Sequence, residues 1–88
     1  MDVNLNLYKY FLAVIEEHGV TNAAAKLGVS QPTVSYNIHA LQRELGCELF
    51  LVEKDGMVPS AVARALYRRL KPLYTALINV VHDFICSG

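Results

Sequence analysis

The chain has 88 residues, of which 53% are hydrophobic and 18% charged, and its formal net charge is zero. This length and composition predict one small globular domain with an adequate core. No apolar run approaches the roughly 18 residues that a membrane span needs, and the start does not resemble a secretory leader. We therefore expect a soluble, cytoplasmic protein without a membrane partner.

The charges are unevenly distributed along the chain. Residues 1–55 contain four basic and seven acidic side chains, whereas residues 56–88 contain four basic side chains and one acidic side chain. An acidic body can neutralise few DNA phosphates, because phosphate binding depends on Lys and Arg. If this protein binds DNA, dimerisation and neutral hydrogen-bond donors must supply much of the affinity.

Catalytic and metal-binding patterns are missing from the sequence. Cys47 and Cys86 form no C-x-x-C pair and lie near no His cluster, which favours two free thiols and no metal site. His18, His39 and His82 are scattered, and no set of nucleophile, base and orienting residue accompanies them. We expect neither an enzyme nor a cofactor.

Two helices are predicted in the first third of the chain. Apolar residues at spacings of three and four predict a helix over residues 5–18, which Gly19 ends. Thr21 can cap a short, alanine-rich helix over residues 22–27. Gly28 can end that helix in the left-handed conformation, and Val29 can pack under the turn.

A third helix begins at Ser30 as its N-cap, with Pro32 in the first turn. One face carries an apolar stripe that ends at Gly46, formed by Val34, Ile38, Leu41 and Leu45. The opposite face is formed by Pro32, Ser35, Tyr36, His39 and Arg43. A plainly solvated helix would carry more Glu and Lys than this outward face does.

A hairpin and a long helix follow. Residues 49–52 and 57–58 read as two short strands joined by a tight turn over residues 53–56. Ser60 can cap a last helix over residues 61–86, which Pro72 should bend or interrupt. This helix carries a seam close to a heptad pattern: Leu66, Leu70, Leu73, Leu77, Val81 and Phe84.

The second and third helices have the features of a helix-turn-helix. Two helices that cross steeply need a small residue at the crossing, such as Ala24, and a glycine in the turn, such as Gly28. Spacing alone leaves a second reading open, because any compact three-helix domain can show both features.

The residues themselves are more specific than the spacing. The stretch from Thr21 to Ser35, TNAAAKLGVSQPTVS, closely resembles the signature of the LysR-type family of bacterial transcription regulators. The similarity continues without insertion through Ile38, Leu41, Leu45, Gly46, Leu49 and Phe50. It implies a mainly α fold, with a winged helix-turn-helix over residues 1–59 and a dimerising linker helix over residues 60–88. The large effector-binding domain that usually follows is absent from this chain.

Three single positions and one five-residue segment depart from the family pattern. Val52 stands where the family commonly has Arg, Tyr36 replaces a residue that is often basic, and Gln42 replaces Glu. Residues 58–62 replace the usual Leu-Thr-x-Ala-Gly. The changes at Val52 and Tyr36 remove positive charge and bear on the strength of DNA binding more than on the fold.

Candidate DNA contacts lie mainly on the start of the third helix, which enters the major groove in a helix-turn-helix. The candidates for base contact are Gln31, Pro32, Ser35 and Tyr36. The candidates for phosphate contact are Asn22, Lys26, Thr33, His39, Lys54 and Arg64. For each of them the alternative is an ordinary exposed side chain, and Tyr36 can equally cover the edge of the core.

The seam on the last helix is longer than a small three-helix body can cover, which favours homodimerisation. Charged residues interrupt the seam and argue against a membrane. We expect a homodimeric, sequence-specific regulator that binds double-stranded DNA and is associated with the nucleoid. The alternative is a winged-helix module that pairs with another regulator and binds DNA weakly.

Overall fold

Helices dominate the computed structural model, which describes residues 3–54 and 56–86. The elements in chain order are α1 (Leu5–Glu16), α2 (Val20–Leu27), α3 (Gln31–Leu45), β1 (Phe50–Glu53), β2 (Gly56–Pro59) and α4 (Ala61–Cys86). The predicted winged helix-turn-helix followed by a long helix is therefore confirmed.

The end of α1 differs from the sequence prediction. The helix begins after Asn4, whose side chain accepts the Asn6 N–H at 3.0 Å. It ends at Glu16, two residues earlier than predicted. His18 takes the left-handed conformation, with φ of 60°, that the sequence pattern assigns to Gly19. Gly19 instead serves as the N-cap of α2.

The start of α2 also corrects the prediction. The first helical bond runs from the Ala23 N–H to the Gly19 carbonyl at 3.1 Å, so α2 begins at Val20 and Thr21 lies inside its first turn. The Asn22 amide donates to the Glu17 carbonyl at 3.1 Å and ties the new helix to the end of α1. Because this bond and the Ala23 bond start the helix earlier, the Thr21 cap is not needed.

The turn between α2 and α3 has the predicted chemistry. Gly28 has φ of 69° and ends α2, and the Val29 N–H donates to the Ala24 carbonyl at 3.0 Å. Ser30 caps α3 by accepting the Thr33 N–H at 3.3 Å. Val29 packs against the core. Local hydrogen bonds therefore fix the conformation of the turn between α2 and α3.

The core lies where α1, α2 and α3 meet. Ala23 and Ala24 are 0% and 4% exposed, and their small side chains let the other two helices approach α2 closely. Three residues of the predicted apolar stripe on α3 are buried, Val34, Ile38 and Leu41, as are Phe11 and Leu12 of α1. Leu45, the fourth residue of the stripe, is half-buried. The Phe11 and Phe50 ring centroids lie 5.9 Å apart, which joins the core to the start of the wing.

The hairpin, or wing, begins one residue later than predicted. β1 and β2 pair antiparallel, with Phe50 opposite Pro59 and Glu53 opposite Gly56, so Lys54 lies in the turn. Leu49 is buried ahead of the strand, where its carbonyl accepts the Ser60 N–H at 2.8 Å.

Gln42 fixes the base of the wing. Its side-chain oxygen accepts the N–H of Leu49 at 2.9 Å and that of Phe50 at 3.3 Å. On the other side of the wing, Ser60 donates its hydroxyl to the Glu48 carbonyl at 3.1 Å and accepts the Ala63 N–H at 3.1 Å. The wing is thus held to α3 by one side chain and to α4 by another.

The last helix is anchored along its first half only. It continues through Pro72, so the predicted interruption does not occur; Arg68, whose carbonyl loses its helical partner there, is exposed and can be hydrated. Ala63 is buried, and four further side chains of α4 pack against the core: Leu66, Tyr67, Leu70 and Tyr74. Residues 75–86, which we call the arm, are all exposed. None of the described helices combines the length and apolar character that a membrane span requires.

A polar clasp adds to this anchor. The Glu16 carboxylate accepts the Tyr67 hydroxyl at 2.8 Å and pairs with the Lys71 ammonium at 2.6 Å. Burial raises the pKa of Glu16, but the hydrogen bonds from Lys71 and Tyr67 outweigh it, so the net pKa of this carboxyl lies below its usual value. The same hydrogen bonds to Glu16 raise the pKa of Lys71 and of Tyr67.

The Gln42 contact can be tested by removing its oxygen. Gln42→Leu leaves two partly buried N–H groups without an acceptor, which should lower the free energy of unfolding by about 1–3 kcal/mol. Gln42→Glu keeps an acceptor oxygen and should remain close to wild type. Urea unfolding of the three proteins makes the comparison. Equal stability of the Leu variant and wild type would show that the two amides find other partners.

The clasp predicts a pH dependence. Because the pKa of Glu16 is lower in the folded chain than in the unfolded chain, the clasp stabilises the fold above about pH 4.3, the usual glutamate pKa. This contribution is lost as the pH falls through the lowered folded value. Glu16→Gln should thus be less stable than wild type at neutral pH, by at most about 1 kcal/mol for such an exposed pair. The difference should shrink in acid.

Urea unfolding over a pH series measures this difference. Glu17→Gln is the matched control, because it removes the neighbouring carboxylate and leaves the clasp intact. A Glu16→Gln difference that is the same at acid and neutral pH would refute the titration of the clasp.

Candidate nucleic-acid interface

The exposed face of α3 is uncharged over its first three turns. Residues 31–42 include no Asp, Glu, Lys or Arg, and the first charged residue of the helix is Arg43. Gln31, Pro32 and Tyr36 are exposed, and Tyr36 is 68% exposed, so it does not cover the core. These three predicted base-contact residues therefore share one open surface at the start of the helix.

The fourth, Ser35, lies on the side of α3 that faces the wing. Ser35 is half-buried and His39, one turn further on, is exposed. Thr33 is also half-buried, and its hydroxyl lies 2.9 Å from the Ser30 hydroxyl, so it already has a local partner.

A cleft separates α3 from the wing. It is lined by Ser35, Ile38, His39, Gln42, Phe50, Val52 and Met57. Two sequence candidates, Ser35 and His39, thus come together with Val52, a position predicted only to depart from the family pattern. Among the residues that the structure describes, no charged side chain belongs to this lining.

The basic candidates are spread over the molecule. Lys54 is exposed at the turn of the wing, and Arg64 is exposed in the first turn of α4. Lys26 lies in a different groove, between α1, α2 and α4, which it shares with Glu16 and Lys71. The structure therefore does not bring Lys26 together with the residues of the cleft between α3 and the wing.

Asn22 lies at the other side of the wing. It borders a groove with His18 and with Gly56 and Met57 of the wing. Its amide nitrogen is already used by the Glu17 carbonyl. A phosphate contact by this group would compete with the bond that holds α2 to α1.

The predicted dimer seam divides into two parts. Leu66 and Leu70 are half-buried and pack against the core of their own chain. The remaining four are exposed: Leu73 by 69%, Leu77 by 45%, Val81 by 48% and Phe84 by 82%. Only this second part offers an open apolar surface in one chain.

The arm carries more apolar surface than the seam alone. Ile78, Val80 and Ile85 are 46%, 64% and 72% exposed and were not among the predicted contacts. With the seam residues they spread over roughly 160° of the helix circumference at 3.6 residues per turn. A signal for them was present in the sequence, since apolar residues on both sides of a heptad seam indicate a face wider than a two-stranded coiled coil uses.

Comparison with known sequences identifies the family. The family described as bacterial regulatory helix-turn-helix protein, lysR family, matches residues 5–68. The chain is 37% identical to the HTH-type transcriptional regulator AbaB of Streptomyces antibioticus over 92% of this chain and 27% of that protein. It is 36% identical to the regulator XapR of Escherichia coli K12 over 89% of this chain and 26% of that protein. The chain thus spans about a quarter of the length of these relatives.

Solved structures show the same architecture. The DNA-binding domain of BenM in complex with catB site 1 DNA has 31% sequence identity and a TM-score of 0.86, over 98% of this chain and 99% of that chain. The probable transcriptional regulator PA0477 of Pseudomonas aeruginosa has 28% identity and a TM-score of 0.86, over 93% of this chain and 28% of that chain. With the match of residues 5–68, these similarities show that the chain belongs to the lysR family of bacterial regulatory helix-turn-helix proteins.

Proposed function

We propose that this chain binds double-stranded DNA in a sequence-specific manner and serves a transcription regulator as its DNA-reading part. The observation that carries the proposal is the open, uncharged face at the start of α3, with Gln31 and Tyr36 exposed on a helix whose other face is fully packed. A helix of this kind fits the major groove, where hydrogen-bonding groups read base edges. The DNA-binding domain of BenM, which has the same fold, was solved in complex with DNA, which supports DNA binding by this chain.

The proposal gives the α3 residues different roles. The Gln31 amide can pair with adenine N6 and N7. The Ser35 hydroxyl can form a hydrogen bond with a donor or an acceptor group on a base edge. Pro32 and Tyr36 can contact a thymine methyl group or a sugar. Phosphate contacts fall to neutral and basic donors around them: Thr33, His39, Lys54 and Arg64, with Asn22 and Lys26 on α2 as further candidates.

The proposal also includes a homodimer formed through α4. The arm exposes a broad apolar face that its own body leaves uncovered, and a second copy of the same helix offers a matching surface. A two-fold dimer would present two α3 helices to two half-sites, which raises the affinity of a domain with few cations.

In the cell we expect the protein to act on the chromosome in the cytoplasm and to catalyse no reaction. The curated relatives are named as transcriptional regulators, and this chain corresponds to about a quarter of their length.

A second candidate function is favoured by the charge of the body. The uncharged α3 face and the acidic residues 1–55 are also what a winged-helix module would have if it paired with another regulator through the arm and bound DNA weakly. Selection of duplexes from random DNA separates the two functions. Enrichment of a sequence supports the regulator, whereas a chain that enriches none and still pairs with a full-length regulator supports the interaction module.

Sequence reading by Gln31 predicts a selective loss. Gln31→Ala should weaken binding to the selected duplex by about 1–3 kcal/mol and change binding to unselected DNA little, because only the base contact is removed. Lys54→Ala is the contrasting variant. It should weaken binding to both DNAs alike and lower the salt slope by about 0.9 for one lost phosphate contact.

Fluorescence anisotropy over a series of salt concentrations measures both effects. An equal loss on the two DNAs for Gln31→Ala would move this residue to the phosphate-binding group. A salt slope that Lys54→Ala leaves unchanged would assign Lys54 to solvent.

Dimerisation through the exposed half of α4 predicts a soluble monomer when charge is placed on its apolar face. Leu73 and Leu77 are exposed in one chain, so replacing both with Glu should leave the fold intact and separate the dimer. Thr75→Glu with Asn79→Glu is the matched control, because it adds the same charge to the opposite face of the same half of α4. Sedimentation measures the oligomeric state, and circular dichroism checks the fold.

Affinity for a duplex with two half-sites should fall towards that for one half-site in the Leu73 and Leu77 variant and stay unchanged in the control. A Leu73 and Leu77 variant that remains dimeric would refute this interface. A variant that unfolds would place the two leucines in the core of the single chain.

A further inference from the structure

The wing carries the most exposed large apolar side chain among the described residues. Val52 is 87% exposed, although it lies inside β1 and its neighbours in the strand are paired with β2. It contributes nothing to the core of the chain. The fold of the chain does not explain this exposure, and Val52 lies next to the proposed DNA-reading helix.

The pairing of the strands determines which way Val52 points. Val52 stands opposite Met57, and side chains alternate between the two faces of a hairpin. Val52 and Met57 share the face that looks towards α3, where they line the cleft with Ser35 and His39. The neighbouring pair, Leu51 and Val58, lies on the opposite face.

The cleft is polar at only a few points. Of its three polar side chains, Gln42 already accepts two backbone N–H groups with its oxygen. Ser35 and His39 remain as groups that can donate to a ligand. The rest of the lining is aliphatic or aromatic, and it contains no Lys or Arg that could pair with a phosphate.

With α3 in the major groove and the wing reaching across the backbone, the DNA strand between them has to cross this cleft. A strand offers two kinds of surface there, the charged phosphate and the apolar face of the deoxyribose. An uncharged, largely apolar cleft is suited to the sugar, with hydrogen bonds from Ser35 or His39 to the adjacent phosphate.

We propose that the cleft between α3 and the wing binds one deoxyribose-phosphate unit of the DNA strand, with Val52 packed against the sugar. This inference rests on the proposed function, because it takes α3 to lie in the major groove. It makes Val52 a DNA-contacting residue that acts without charge. It also explains how the wing can bind a DNA strand when Lys54 is the one cation among the described residues of its turn.

Two substitutions at Val52 test the contact from opposite directions. Val52→Ser removes apolar surface and should weaken binding to the selected duplex about fourfold to tenfold with an unchanged salt slope, since no charge is lost. Val52→Lys places a cation against the backbone and should tighten binding to all duplexes and steepen the salt slope by about 0.9.

Leu51→Ser and Leu51→Lys are the matched controls. Leu51 is the adjacent residue of β1, has an aliphatic side chain and lies on the other face of the wing, so neither change should alter DNA affinity as the Val52 change does. Unfolding curves for all four variants check that the wing remains folded.

A chemical probe on the DNA locates the contact. Neutral methylphosphonate links are placed one at a time along the selected duplex. The methylphosphonate link that lies at the cleft should lower the DNA affinity of wild type little. At that position alone, the link should cancel the gain in affinity that Val52→Lys provides.

The outcomes separate the two proposals. If wild type binds no duplex, the proposed function fails. If wild type binds and Val52→Lys leaves the salt slope unchanged, or Leu51→Lys steepens it equally, the cleft does not hold the strand and the inference is overturned.

Discussion

The close approach of three helices at Ala23 and Ala24 is the constraint on which the rest of the structure depends. Both residues are buried, so α1 and α3 pack against the backbone of α2 at a distance that larger side chains would not allow. This packing sets the tilt of α3, which buries Val34, Ile38 and Leu41 and leaves the opposite face open. The same tilt brings Gln42 to the base of the wing. The arrangement of α3 and the wing therefore depends on the small size of Ala23 and Ala24.

The distribution of cations explains why the interface is so weakly charged. On the body, Lys71 is paired with Glu16, Lys9 lies 5.3 Å from the centroid of the Tyr10 ring, and Lys26 lies near Glu16. The pair between Lys71 and Glu16 joins α4 to α1. The exposed cations near α3 and the wing are few, so shape and neutral contacts have to contribute more to binding than in a strongly basic domain.

Features that depend on neighbouring residues were predictable from the sequence. The Ser30 cap and the left-handed Gly28 are set by bonds within a few residues, and both are confirmed. The α1–α2 turn was not predictable in the same way. There the Asn22 bond to Glu17 and the left-handed His18 compete with the Thr21 cap, and both alternatives look reasonable in a single sequence.

Features that depend on distant residues were only partly predictable. Each candidate on α3 could be named from its chemistry, but its proximity to Val52 follows from the packing of the wing, which the sequence pattern does not reveal. In the same way, the heptad pattern predicted the apolar seam of α4 but could not show which of its residues pack against the body and which stay exposed. Leu66 and Leu70 are covered because the body happens to lie against them, whereas Leu73 lies just past its edge.

The anchoring of α4 along its first half has a consequence for the spacing of binding sites along DNA. The arm contains the 12 residues from 75 to 86 and extends about 18 Å at a rise of 1.5 Å per residue. The clasp and Tyr74 anchor the start of the arm to the body. Two arms packed side by side would therefore fix the geometry of a dimer. They would fix both the distance between two reading helices and the angle between them around the duplex. Each residue added between the body and the joined arms would turn one α3 helix by about 100° around the arm axis, so in the proposed dimer the length of the arm would constrain the spacing of the half-sites.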